Sequence, residues 1–314
     1  MRSMSPVRAL ALGVVDVIKA PLVLLAIAIV MLAIALPFAA SLQSRLQESL
    51  SVQPPVSLNE TEIDPEWWME FREQARGLEA TFTPAVLGFA ATLDGISAVV
   101  DGRRPPAALV APFLLSIVAW AFIWGGALHR FQRGRGLGAA EFTRSGLRNL
   151  VMFVLIAAAA AAINLILYLT LHKLLFGPVH SMLVGMTSSE RDAFLVRVLL
   201  YVIFFSVVAL VSLVADYTRV AAVAIGATSP LDAAAKAIGF IRERTGAVIA
   251  LYLLTALLFI VITVAYGTLE IYGGSQVGGW RAIAIGQAYV FVRLAIRLTF
   301  ASSELRLFNA STHS

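Results

Sequence analysis

Six apolar runs limit what this chain can become: Ala20–Leu42, Pro106–Leu128, Leu150–Leu171, Phe194–Ala215, Ala247–Thr268 and Ala282–Phe300. Each is long enough to cross a hydrocarbon core of about 30 Å as a helix, which takes roughly 20 residues. Only the sixth holds charges well inside it, Arg293 and Arg297. A water-soluble globule has no use for so many such runs. With 59% hydrophobic and 14% charged residues and a mean hydropathy of +0.84, the remainder of the chain is too small to bury them. The pattern predicts an all-α polytopic membrane bundle of six transmembrane helices, a single membrane domain over residues 1–314 with no soluble catalytic domain at either end.

The charges orient it. Arg2, Arg8 and Lys19 precede the first run; Arg130, Arg133, Arg135, Arg144 and Arg148 lie between the second and third; Arg219, Lys236, Arg242 and Arg244 lie between the fourth and fifth. The opposite connections are neutral or acidic, so the positive-inside rule puts both termini in the cytoplasm. Basic segments beside spans attract anionic lipid headgroups, which accounts for a pI of 9.8 without a nucleic-acid partner. The absence of cysteine removes disulfides, thiolate nucleophiles and cysteine metal sites. Ala20–Ala40 ends in small residues before Ser41 but is longer than a signal-peptide core, and is read as an uncleaved span.

The largest connection, residues 43–105, is expected to be an extracytoplasmic helical cap. Over residues 41–105 it carries ten acidic and five basic residues. Asp64-Pro65 and Thr83-Pro84 are helix starts, predicting helices over Pro65–Ala80 and Ala85–Val100, the second interfacial or re-entrant. Trp67-Trp68 suits the headgroup zone. Asn59-Glu60-Thr61 matches the glycosylation sequon by chance.

A unit recurs on the other side. Ser5-Pro6 and Ser229-Pro230 each open an amphipathic segment with alanine at the fifth and seventh positions, Ala9 and Ala11 in one and Ala233 and Ala235 in the other, and each leads into an apolar run. A weaker copy starts near Leu137-Gly138-Ala139-Ala140. The copies predict a threefold parallel repeat of surface helix plus spanning hairpin. Leu231, Ala234, Ala235, Ile238 and Ile241 form the expected apolar stripe of the second copy, and Gly246 its bend into the fifth span.

Chemistry-bearing residues are few. Arg293 and Arg297 sit one turn apart, with Asp216 as their natural counter-ion and Glu304 as a second candidate; with Arg219 these form a candidate intramembrane polar or anion site. The alternative is that the arginines snorkel to lipid phosphates while Asp216 ties two helices. Asn164 and Gln287 either line a polar path or bond between helices. His172 and His180 flank Gly177-Pro178 in an expected outer connection, without metal-ligand spacing. Gly134-Arg135-Gly136-Leu137-Gly138-Ala139 fits a loose dinucleotide pattern but follows a span, not a strand. Hydrolase, zincin and P-loop motifs are absent, and no cofactor is implied.

Ala215-Asp216-Tyr217-Thr218-Arg219, the stretch from Ala233 to Gly246-Ala247-Val248 with the fifth span, and the last span with Arg293, Arg297 and Ser303-Glu304 resemble a family of uncharacterised bacterial six-span integral membrane proteins. In layout the chain is more distantly similar to the membrane domain of some glycerophosphodiester phosphodiesterases, whose catalytic domain is absent here. The resemblance implies the bacterial inner membrane and carries no active residues. The leading expectation is a non-enzymatic scaffold that organises membrane lipids, chiefly anionic headgroups, or a membrane protein partner. The rival is a small transporter or permease-like subunit with Asp216, Arg293, Arg297, Asn164 and Gln287 along its path. A membrane enzyme is the third and weakest reading.

Overall fold

A computed structural model describes residues 4–52, 65–83, 88–103, 106–134, 138–186, 189–273 and 280–312. The sequon at 59–61, the Asp64 cap, Pro84 and residues 135–137 of the glycine run lie outside them. All the regular structure among the described residues is helical. The helices are α1 (Pro6–Ile18), α2 (Pro21–Val52), α3 (Pro65–Gln74), α4 (Gly88–Val100), α5 (Val110–Arg133), α6 (Ala139–Leu167), α7 (His180–Gly185), α8 (Glu190–Ala224), α9 (Pro230–Glu243), α10 (Thr245–Gly273) and α11 (Trp280–Thr312). Six helical stretches are long and apolar enough to cross a membrane, and they contain the six apolar runs.

Every spanning helix overshoots its run, because helix formation continues where hydrophobicity stops. α2 reaches Val52, ten residues past the predicted end, and at about 1.5 Å per residue its 32 residues exceed a bilayer core. α6 does not stop at Leu171. Two wide π-type turns, Tyr168–His172 and Leu175–Val179, carry it into α7, with Pro178, which lacks an N–H, inside the second. The expected outer connection around His172 and His180 is therefore helical. His172 stacks on Phe176 at 4.6 Å and meets Phe204 at 5.0 Å, beside a core of Leu175, Leu200 and Phe204. Among the described residues no cluster suits a metal ion.

Two compact units make up the chain. The first comprises Met1–Leu24, Trp120–Ile260 and Arg293–Ser314. Within it, α1 and α9 both begin at a serine whose hydroxyl accepts a backbone N–H, Ser5 from Arg8 and Ser229 from Leu231, with proline at the next position. The alanine four residues on, Ala9 or Ala233, is fully buried. Ala11 and Ala235 are exposed, so the second shared alanine does not serve packing. The buried side of α9 is Ala233, Ala237 and Phe240, while the predicted stripe of Leu231, Ala235 and Ile238 faces outward. Each of these helices is broken from the next, at Lys19-Ala20 and at Arg244; the bend falls two residues before Gly246. No such break occurs in α6, which runs unbroken through Leu150, since no proline or cap interrupts Ala139–Leu167. α5 and α6 approach through small residues: a Cβ on Gly125 would lie 3.1 Å from the Gly146 Cα and from the Ser145 carbonyl oxygen.

The second unit comprises Leu25–Ala119 and Val261–Val292. There α3 packs on the long end of α2, where Trp67 donates to Ser49 Oγ at 3.1 Å and stacks on Phe71 at 5.3 Å. Trp67 is buried, because its neighbours supply both ring contacts and a hydrogen-bond acceptor. α3 ends at Gln74, six residues early, and a short 3-10 turn, Glu79–Thr81, follows. α4 starts at Gly88, whose φ of +54° suits glycine, and both oxygens of the Glu270 carboxylate accept from the Phe89 N–H at 2.9 Å.

Candidate functional site

The first unit gathers most of the residues singled out in the sequence, on three elements. α8 supplies Asp216 and Arg219 one turn apart, and Arg219 pairs with Asp216 at 2.5 Å. The other carboxylate oxygen accepts from the Tyr252 hydroxyl of α10 at 3.1 Å. Asp216 is thus engaged by its own helix and by α10, and both ends of the ion pair are mostly buried. Its direct ion-pair partner is Arg219, and Arg297 of α11 lies within electrostatic reach of it.

Glu304 lies on α11 with 2% of its surface exposed, and its Oε1 has no hydrogen-bond partner among the described residues. The fully buried Tyr217 hydroxyl is in the same position. Glu304 is within electrostatic reach of Asp216 and Arg219, so a buried carboxyl and a phenol flank an ion pair already formed.

Arg293 and Arg297 behave differently. Both are exposed on the outside of α11, and aromatic rings accompany them. The Arg297 guanidinium carbon stands 3.9 Å from the centre of the Trp120 ring and 5.9 Å from that of Trp124, both on α5. Arg293 lies 5.6 Å from the Phe259 ring centre. No carboxylate among the described residues pairs with Arg297. A guanidinium held on an indole face keeps its N–H edge available to an anion. Asn164, on α6, is half-buried with its side-chain oxygen unpartnered among the described residues, and Gln287, in the second unit, is exposed.

No protein-family model, curated protein or solved structure matches the chain. What the site does has to be argued from its own geometry.

Sequence reasoning missed the most developed polar contact in the first unit. Asp16 of α1 accepts from Ser302 Oγ at 2.5 Å and from Arg306 Nε and Nη2 at 2.6 Å each, the two-pronged arrangement of a strong guanidinium–carboxylate pair. Gly13, one turn earlier, sits against Ser303 and the Thr299 carbonyl, which brings α1 close to α11. Residues after Phe300, past the last apolar run, continue α11 and are buried from Ala301 to Leu305. The signal was present: Asp16 is the only acid of α1, and Ser302 and Arg306 recur at a spacing of four.

Proposed function

We propose that this protein is a non-enzymatic multi-pass protein of the bacterial inner membrane, with both termini cytoplasmic, that holds anionic lipid or a membrane protein partner against its surface. The observation that carries this reading is Arg297, a cation on the outside of a spanning helix whose charge rests on Trp120 while Asp216 is occupied by Arg219. A phosphate is the anion a membrane offers there, and an arginine with its donor edge outward recognises it. The two serine-capped helices, α1 and α9, agree with repeated interfacial elements, and the resemblance to bacterial six-span membrane proteins points the same way. Residues 43–105 would then form the extracytoplasmic cap.

Native mass spectrometry in mild detergent tests it, comparing wild type with an Arg293→Ala, Arg297→Ala double variant after addition of phosphatidylglycerol. Retention of the lipid by wild type and its loss by an equally folded variant is expected. Equal retention by both sinks the reading.

A transporter is the second reading, supported by one observation: buried oxygens of Glu304 and Tyr217 that have no hydrogen-bond partner among the described residues. A Glu304→Gln variant that abolished proton- or ion-driven flux in proteoliposomes would favour it over the scaffold.

A further inference from the structure

Beyond the α11 arginines, the first unit carries a second lipid-facing feature, on α6, α8 and α9. A groove of about 400 Å³ is lined there by Leu155, Ala159 and Ile163 of α6, Val211 and Ala215 of α8, and Leu231 of α9, among others almost wholly apolar. Its size is within the range of sites for small ligands, roughly 300–1,000 Å³. Small side chains leave the space: Ala159, Ala160, Ala215 and Ala234 line it.

Two cations lie beyond the groove on the same helix. Arg148 precedes Leu155 by seven residues and Arg144 precedes it by eleven, so both arginines fall on the helical face of α6 that bears Leu155 and Ala159. At about 1.5 Å per residue, Arg148 lies roughly 10 Å along the axis from Leu155. Both arginines are exposed, and neither has an ion pair among the described residues. The acid nearest them on α6, Glu141, is held by Arg133 of α5. An apolar groove with two guanidinium groups farther along the same helix face, neither ion-paired among the described residues, has the polarity of a phospholipid: acyl chain first, then phosphate.

We infer that the α6–α8–α9 groove binds one acyl chain of an anionic phospholipid whose phosphate is held by Arg144 and Arg148. This site is separate from Arg293 and Arg297 and stands or falls independently of the function proposed for them. It prefers phosphatidylglycerol to phosphatidylcholine because the arginines recognise net negative charge. Ala159 is exposed at the groove, so a larger side chain there fills the trough without crowding a core.

The test is photocrosslinking of the full chain in vesicles with phosphatidylglycerol carrying a diazirine on one acyl chain, with the crosslinked peptides mapped. Wild type is expected to crosslink within 155–163 and 210–218, competed by unlabelled phosphatidylglycerol and not by phosphatidylcholine. Arg144→Gln with Arg148→Gln should weaken that labelling roughly tenfold or more. Ala159→Phe should abolish it, and Arg293→Ala with Arg297→Ala should leave it unchanged. Equal competition by phosphatidylcholine, or labelling that survives either the glutamine pair or Ala159→Phe, overturns the inference and leaves ordinary annular lipid. Matching circular dichroism and thermal midpoints establish that the variants are folded.

Discussion

The two units hold themselves together by different chemistry. In the first, charge joins elements far apart in sequence: Asp16 to Arg306, Asp216 to Tyr252, and Arg130 to the Lys19 carbonyl. In the second, Arg45 pairs with Glu48 and Glu79 and Arg103 with Asp94, but these pairs are largely exposed and the buried contacts are made by rings and neutral groups. Tyr266 and Tyr289 stack with centroids 4.1 Å apart and planes 7° apart, and the Tyr289 hydroxyl bonds Thr263 at 3.1 Å. Trp67, Trp68, Phe71 and Phe82 form a second aromatic group, and Glu270 spends its charge on a backbone N–H. The difference predicts different fragility. A broken neutral contact leaves a weakly costly group, whereas a broken ion pair away from water leaves an uncompensated charge.

The sharpest break is Asp16→Ala. It strands Arg306 and removes the acceptor of Ser302 in one step. Losing one partner of a buried pair costs about 3–5 kcal/mol, and since Arg306 is a third exposed the lower end, about 3 kcal/mol, is expected. Thermal unfolding in detergent measures it. A double Asp16→Ala, Arg306→Met variant should recover part of the loss; full additivity of the two changes would show that the pair is not coupled.

Next come two glycines, one in each unit. A Cβ on Gly13 would stand 2.7 Å from the Thr299 carbonyl oxygen, which is backbone and cannot swing aside. On Gly267 it would meet the Phe89 ring at 2.6 Å, a side chain that can turn. Gly13→Ala should therefore cost about 2 kcal/mol, in the usual range for overpacking, and Gly267→Ala clearly less. The reverse order would show that the α1–α11 approach is looser than drawn.

Smaller still is the cap on α4. Glu270→Ala removes the acceptor of the Phe89 N–H and the negative charge at that helix start, for about 1 kcal/mol. The loss should show as faster amide exchange confined to the first turn of α4, with Glu270→Gln between the two. Uniform exchange across the chain would mean that Glu270 supports more than one helix.

The architecture was legible because transmembrane helices announce themselves locally: twenty apolar residues have few alternatives. Ser5-Pro6 and Ser229-Pro230 were legible for the same reason, since caps act over three residues. What stayed hidden was which atoms of a distant partner each group meets. Asp216, Arg219 and Arg297 do share one electrostatic neighbourhood, but sequence shows charge and not direction, so it could not tell that the direct ion pair is with Arg219, one turn along the same helix. Asp16 and Arg306 were invisible as a pair because 290 residues separate them. The continuation of α6 past Leu171 was missed because Gly177-Pro178 reads as a turn, although π-type turns can absorb a proline within a helix. The groove on α6, α8 and α9 could not be foreseen, because an alanine-rich face signals close packing or a trough equally well.

The smallest predicted effect bears most directly on function. Trp120→Leu keeps the volume of α5 largely apolar but removes the indole face under Arg297. Cation–π contacts contribute about 0.5–1 kcal/mol at exposed sites, so the thermal midpoint should barely move. Lipid retention should respond differently from stability, because the indole fixes where the guanidinium points more than it holds the helices together. Weaker phosphatidylglycerol binding with nearly unchanged stability is expected, and Trp120→Phe should restore most of it by returning a ring. If Trp120→Leu instead destabilised the protein as much as Asp16→Ala, Arg297 would belong with the charged contacts that hold the first unit together, and the lipid would need another anchor.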